Sequence, residues 1–399
     1  MPTAVGPNTK GEENLVFGYD LGDVSNSYKG EPTTNLVDAF PDTSLPSGLY
    51  WTYEYSASIS DSPIGNHFLS DKKWVKLVKT SSTNGRVLFT GNGVSFTSGS
   101  TYTVTAYVYI NDSRNTSLAF NSDNGGYSQE TVDVGYNFTN IGTVQRIRGT
   151  WNQLQNGGSI YGLRGGSSNA VGSTIYMTGL QVEENGHPTQ LTAGTRSATQ
   201  GLLDLTGNST IDLRDVSFDS NAQMTFDGSS DHITGVLPIS GGGAPHTIEM
   251  VLSPDINQGS FGSRRDPFTI GNAATHQYSA LDISPSFMNW YFYSKDTTFT
   301  NNPLLTAGNY YHFVLSYAGG YSNNTNKRVW INGVEQTLSP GPNEVSLLPD
   351  NPQFSVGRDR GRNTAYFPGE IPIFKVYDRA LTEKEALANF NAIKGRFNI

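Results

Sequence analysis

The run from Tyr310 to Val334 constrains the fold more than any other stretch of the chain. Tyr311, Phe313, Leu315 and Tyr317 alternate with His312, Val314 and Ser316, the period of a strand with one face buried. A polar turn (Gly319, Gly320, Ser322, Asn323, Asn324) leads to a second run, in which Val329 and Ile331 alternate with Arg328 and Trp330. That run ends at Asn332-Gly333, a pair suited to a type I′ turn because both central residues need positive φ. Two hairpins back to back, with no competing helical period, predict the middle of an antiparallel sandwich.

Composition agrees. Gly 44 with only 15% charged residues favours short strands and polar turns over helices, and Tyr 21 with Phe 20 supplies a large core. The net charge of −9 and the want of a long basic run argue against nucleic acid as a partner. Cys 0 removes disulfides and thiol chemistry. The start, MPTAVGPNTKGEEN, has no apolar core of the kind a signal peptide needs, and no stretch approaches the ~20 apolar residues of a membrane span. With no secretion signal, the Asn-X-Ser/Thr sites at Asn115, Asn137, Asn208 and Asn323 read as by-products of polar loops.

The motifs YYHFVLSY and NKRVWINGVEQ, then FSVGRD (Phe354–Asp359) and FPGEIPIFKVYDRALTEKE (Phe367–Glu385), resemble the closing half of a laminin-G-like, concanavalin-A-like lectin jelly roll. MTFDGSSDHITG (Met224–Gly235) resembles the strand pair that opens such domains. The resemblance implies the fold more firmly than an activity, since members include glycan binders, protein binders and hydrolases. In relatives from viral particles, an opening like NLVFGY (Asn14–Tyr19) runs straight into a segment like Leu203–Phe218. Here the two are far apart, which predicts a domain insertion.

The expected organisation is an N-terminal arm over 1–13, a laminin-G-like sandwich from 14–35 plus 194–399, and an inserted jelly roll over 36–193. The insert has strand-like runs at Trp74–Lys79, Arg86–Phe89, Thr101–Ile110, Val144–Trp151 and Ser173–Glu184, and resembles carbohydrate-binding modules of the galactose-binding-like kind. The fold class is all-β: two antiparallel jelly-roll sandwiches, one inserted in the other, with a short C-terminal helix. That helix is signalled by the Thr382/Glu385 capping box and by Ala386, Phe390 and Ile393 on one stripe, with Gly395 placed to close it.

Little in the sequence marks a catalytic centre. The Glu-x-Asp-x-Glu strand of glucanase relatives is missing, and the close acidic pairs Glu12-Glu13, Glu183-Glu184 and Glu383/Glu385 fall in an arm, a closing strand and a first helical turn. The histidines (His67, His187, His232, His246, His276, His312) are mutually isolated, and GLRGGSSN (Gly162–Asn169) lacks the ending of a phosphate loop. The expectation is therefore a non-enzyme.

For sugar stacking the candidates are Trp290 and Tyr293 on alternate faces of FMNWYFY, Trp330 opposite Val329 and Ile331, and Tyr107 with Tyr109 in the insert. Arg358, Arg360 and Arg362 form a basic loop able to hold an acidic glycan or a partner's carboxylates. The resemblance also admits Ca2+, for which Asp20 with Asp23, or Asp227 with Asp231, are the right kind of residue.

Taken together, the resemblance implies a bacteriophage virion structural protein, assembled in the host cytoplasm and exposed on the virion surface as a capsid decoration or tail appendage. Its partners would be other virion proteins, further copies of itself and a host-surface glycan, without membrane insertion. The alternatives are a secreted glycan-active enzyme and a free carbohydrate-binding protein.

Overall fold

In the computed structural model, the described residues are 13–37, 40, 50–53, 55–82, 85–89, 95–115, 118–123, 129–133, 136–154, 156–157, 160–165, 169–293, 296–299, 303–320, 326–339 and 345–399. The expected arm over 1–13 lies outside them except at its last residue. The chain divides into two compact units, one built from Met1–Pro32, Ser197–Asp219 and Gln223–Ile399, the other from Thr33–Arg196 and Ser220–Ala222.

The first unit is a sandwich of two antiparallel sheets. An eight-stranded sheet runs in the order Ser217–Phe218, Met224–Asp227, Pro368–Tyr377, His246–Pro254, Tyr311–Tyr317, Lys327–Ile331 and Val334–Glu335, with Leu15–Asp20 also paired to Pro368–Tyr377. A seven-stranded sheet runs in the order Asp212–Asp215, His232–Val236, Gln353–Val356, Phe268–Gly271, Tyr278–Ile283, Met288–Tyr291 and Asp296–Thr298. Their inner faces meet in one core. Ile248, Met250, Phe313, Leu315, Val329 and Phe374 come from the first sheet, and Ile233, Phe268, Ile270, Leu281, Met288, Trp290 and Phe354 from the second.

The Asn332-Gly333 turn forms as its sequence dictates, with φ of 51° and 76° joining Ile331 to Val334. The alternation of Tyr311–Tyr317, however, does not separate a buried face from a wet one, because all seven residues are buried. The reason is the helix Glu383–Phe397, which starts on the Thr382/Glu385 capping box and covers the outer face of the eight-stranded sheet. Val314, Trp330 and Tyr377 pack with Ala386 under its start, and Val251 and Ile373 with Ile393 and Phe397 under its end. The helix closes on Asn398 in the left-handed region rather than at Gly395.

The second unit holds two five-stranded antiparallel sheets. One runs in the order Val144–Asn152, Thr101–Tyr109, Thr174–Glu183, Trp74–Lys79 and Tyr55–Ser60; the other runs Tyr50–Tyr53, Gly85–Phe89, Ile160–Gly165, Leu118–Asp123 and Gln129–Asp133. Tyr102, Val104, Ala106 and Val108 turn inward with Ile147, Trp151, Ile175 and Met177, which leaves Tyr107 and Tyr109 half-buried on the other face.

Candidate functional site

The outer face of the seven-stranded sheet is the most chemically loaded surface of the first unit. Strand alternation turns Leu281, Ile283, Met288 and Trp290 into the core, so Tyr278, Ala280 and Asp282 face outward beside Asn289 and Tyr291. The register sets Ala280 opposite Tyr291 and Asp282 opposite Asn289. Tyr293 follows the strand in a left-handed backbone conformation, φ 53°, that few bulky side chains adopt. Its half-exposed ring lies 6.1 Å from that of Tyr278 and 5.9 Å from that of Tyr291.

Two loops bring charge to this face. The loop before Phe268 supplies Arg264 and Asp266, and the loop after Val356 supplies Asp359 and Arg362. Asp359, itself buried, accepts hydrogen bonds from the Tyr278 hydroxyl, the Arg264 guanidinium and the Arg362 amide. Arg264 also lies 3.5 Å from Asp266; burial disfavours its charge, but Asp266, Asp359 and Asp282 outweigh that and leave its guanidinium more firmly protonated than usual. Asp266 is fully buried, and neither carboxylate oxygen receives a hydrogen bond. Burial pushes its carboxyl well above the usual range, against the pull of Arg264; burial also raises Asp282, which accepts a hydrogen bond from Ser284 at 3.0 Å. Asn289 Oδ1 is a further buried oxygen with no partner.

Arg362 closes the arrangement from above. Its Nη2 donates to the Tyr291 hydroxyl at 3.0 Å, and its guanidinium stands 5.4 Å from the centre of the Tyr293 ring. Arg358 and Arg360 sit in the same loop but point elsewhere, Arg358 to Asn363 and Arg360 to Gln353 and the Gly271 carbonyl.

Several sequence candidates are corrected here. Trp290 and Trp330 are buried and offer no ring to a sugar. Trp290 faces the core and donates to Ser279 Oγ at 3.0 Å, while Trp330 lies under the C-terminal helix. Asp20 is unfit for calcium, because both its oxygens are held by Arg396 at 2.6 Å each. Asp23 is spent on the turn amides of Ser25 and Asn26. Asp227 likewise serves the amides of Ser229, Ser230 and Asp231, contacts that hold its carboxyl below the usual range despite partial burial. Asp231 accepts from the amides of Ser217 and Asp227. Among the described residues, no three His, Asp or Glu are grouped to hold a metal ion.

Tyr107 and Tyr109 belong to the second unit. Tyr109 packs 6.1 Å from Tyr176, and Tyr107 meets the exposed Phe68 edge-on at 5.2 Å. The residues missed from sequence are Arg264, Asp266, Asp282, Asn289 and Asp359. The charged SRRDPF run (263–268) and the Tyr278-Ala280-Asp282 alternation are the signals that point to them.

Comparison with solved structures places several sandwiches beside this chain. Domain 4 of a GH43 extracellular arabinanase from Geobacillus stearothermophilus, in complex with arabinotriose, is 16% identical, with 48% of this chain and 92% of that one covered and a TM-score of 0.32. A Trypanosoma rangeli sialidase in complex with 2,3-difluorosialic acid is 15% identical, covering 47% of this chain and 30% of that one with a TM-score of 0.35. The botulinum neurotoxin serotype D binding domain is 10% identical, covering 49% of each chain with a TM-score of 0.33. At these identities the likeness concerns the fold alone. Comparison with curated proteins returns no match. The expectation of a non-enzyme is corrected by this set, which includes an arabinanase domain and a sialidase. The physical flaw in that expectation is that it sought paired carboxylates along one strand, whereas Asp266, Asp282 and Asp359 are gathered from separate segments around Arg264. Residues 241–386 match the family Laminin_G_3, the concanavalin A-like lectin/glucanases superfamily, and this stretch carries a domain of that superfamily.

Proposed function

We propose that the first unit recognises carbohydrate on the outer face of its seven-stranded sheet, with Tyr293 as the ring on which a sugar stacks. The observation that carries this reading is the half-exposed Tyr293 in a left-handed conformation, its ring 6.1 Å from that of Tyr278 and 5.9 Å from that of Tyr291, on the face that also carries the partnerless Oδ1 of Asn289. Buried polar atoms without partners are rare, and backbone strain concentrates where ligands bind. A sugar offers what such a face lacks: a C–H face for the ring and a hydroxyl donor for the amide oxygen. The test is glycan-array screening and calorimetry on the full chain and on Tyr293→Ala. Loss of binding with an unchanged melting temperature supports the reading; full binding by the variant, or no glycan bound by the full chain, overturns it.

A second reading, cleavage of the bound glycan, draws support from the carboxyls of Asp266, Asp282 and Asp359 around one guanidinium, the first two raised by burial. Release of reducing ends that Asp282→Asn abolishes is the expected result. The narrower setting, a surface protein of a bacteriophage particle, rests on the order of the NLVFGY, LDLTGN and FPGEIP motifs, and mass spectrometry of purified particles tests it.

A further inference from the structure

We propose that the glycan taken by this face is an acidic one, whose sugar carboxylate is held by the Arg362 guanidinium while its ring lies on Tyr293. The inference rests on the carbohydrate reading above and adds the ligand's charge. Its ground is the division of labour among four arginines. Arg264 is committed to Asp359 and Asp266, and only about a fifth of its side chain is exposed, 21%. Arg362 differs: 44% of its side chain is exposed, and its nearest carboxylate, Asp359, is 3.7 Å away and already taken by Arg264. Its side-chain polar contacts are otherwise to neutral hydroxyls, that of Tyr291 at 3.0 Å and that of Tyr293.

Arg358 and Arg360 point away from Tyr293 but add positive charge to the same loop. They hydrogen-bond to amide and carbonyl oxygens, and no carboxylate stands within 4.0 Å of either among the described residues. So the loop Arg358–Arg362 presents three guanidiniums against one carboxylate, and that carboxylate is buried. The chain as a whole carries a net charge of −9. A local cationic rim on an acidic protein concentrates anions, and a guanidinium fits a carboxylate through two parallel hydrogen bonds. Arg362 is placed beside the aromatic ring, where the ring substituent of a uronic or sialic acid would fall.

The experiment compares matched probes on the full chain by calorimetry: tetragalacturonic acid against its carboxyl-reduced counterpart, and sialyllactose against lactose. At least one acidic probe should bind roughly tenfold or more tightly than its neutral partner. That preference should shrink as salt rises from about 50 to about 300 mM, because the contact is partly exposed. Arg362→Gln should abolish the preference without moving the melting temperature, and Arg362→Lys should restore part of it, since a point charge keeps the attraction but not the paired geometry. If neutral probes bind as tightly as acidic ones, or Arg362→Gln leaves the preference intact, this inference fails and the carbohydrate reading stands. If no probe of either kind binds, both fall together.

Discussion

Glu249 and His312 face each other across neighbouring strands, Oε1 to Nε2 at 3.0 Å, with about 1% of each side chain exposed. The second carboxylate oxygen accepts from the Tyr377 hydroxyl and from Asn389 of the C-terminal helix, both at 2.8 Å. A carboxylate in such a place survives only because its partners outweigh its desolvation. Burial pushes the Glu249 carboxyl up, while Lys375, His312 and Tyr377 pull it down to about 2. The group thus ties the helix to the sheet through charge-assisted hydrogen bonds.

Removing it should be costly. Glu249→Ala leaves His312 and Lys375 buried without their anion, and about 3–5 kcal/mol of stability should be lost in urea unfolding. The pH dependence has a definite sign. The folded value lies below the unfolded 4.5, so the stabilisation is complete above pH 4.5 and is lost as pH falls towards 2. Unfolding followed between those limits should show a slope in the natural protein that Glu249→Gln reduces. An unchanged slope in the variant would place the titration elsewhere.

The fate of the tryptophans shows where sequence reading stops. The Asn332-Gly333 turn and the Thr382 capping box are legible because each depends on residues within three positions of one another. Alternation tells which residues share a face, so Trp330 is correctly set apart from Val329 and Ile331. It cannot tell that a helix beginning fifty residues later covers the second face too. Trp290 fails differently, since FMNWYFY leaves open which of its two faces meets the core. The site is hidden for a third reason: Asp266, Asp282, Asn289 and Asp359 are adjacent only after the sheet has formed, and each alone reads as an ordinary polar residue. Tyr293 and Arg362 are the two candidates that the fold brings together.

Trp290 and Tyr293 should therefore separate in a substitution test. Trp290→Ala removes a core aromatic and should lower stability by about 3–5 kcal/mol. Tyr293→Ala keeps a Cβ in the left-handed conformation and removes only a half-exposed ring, so it should change stability by no more than about 1 kcal/mol. Comparable losses from both, in parallel chemical denaturation, would mean that Tyr293 is packing rather than platform.

Asp266 carries a pH signature opposite to that of Glu249. Its folded carboxyl is raised, so its contribution is fully favourable below the unfolded value of 3.8 and is lost as pH rises towards the folded one. Asp266→Asn keeps the shape and removes the ionisation. The variant should match the natural protein at pH 3.5 and exceed it in melting temperature at pH 7. Equal melting temperatures at pH 7 would show that Arg264 already stabilises the charged form in full.

Asp20 and Arg396 form a second tie between the helix and the sheet edge, with two contacts of 2.6 Å and both residues buried. Asp20→Ala should cost about 3–5 kcal/mol and loosen the last helical turn, read as faster amide exchange over 393–399. Added calcium should leave the melting temperature of the natural protein unchanged, since Arg396 occupies both oxygens that an ion would need. A calcium-dependent rise that Asp20→Ala removes would contradict this assignment.

The last prediction concerns Gly333, where the hairpin and the helix meet. Its φ of 76° already disfavours a side chain, and a Cβ built there would lie 2.7 Å from Phe390 Cδ1 and 3.2 Å from Leu387 Cδ1. Gly333→Ala therefore combines two penalties, strain in the turn and displacement of the helix from the sheet. Gly242 provides the control, with a φ of 66° and nothing within 4 Å of the position a Cβ would take. Gly242→Ala should cost only the conformational part, about 1 kcal/mol. Gly333→Ala should cost that plus a packing share of about 1–3 kcal/mol, because the Phe390 ring, whose centre lies 6.0 Å from that of His312, must give way to the new Cβ. The two variants, measured side by side by urea unfolding, isolate the second share as their difference. If they are equally destabilised, the helix yields without cost at Phe390, and its attachment rests on Glu249 and Asp20 instead of on the contact between the ring and the turn.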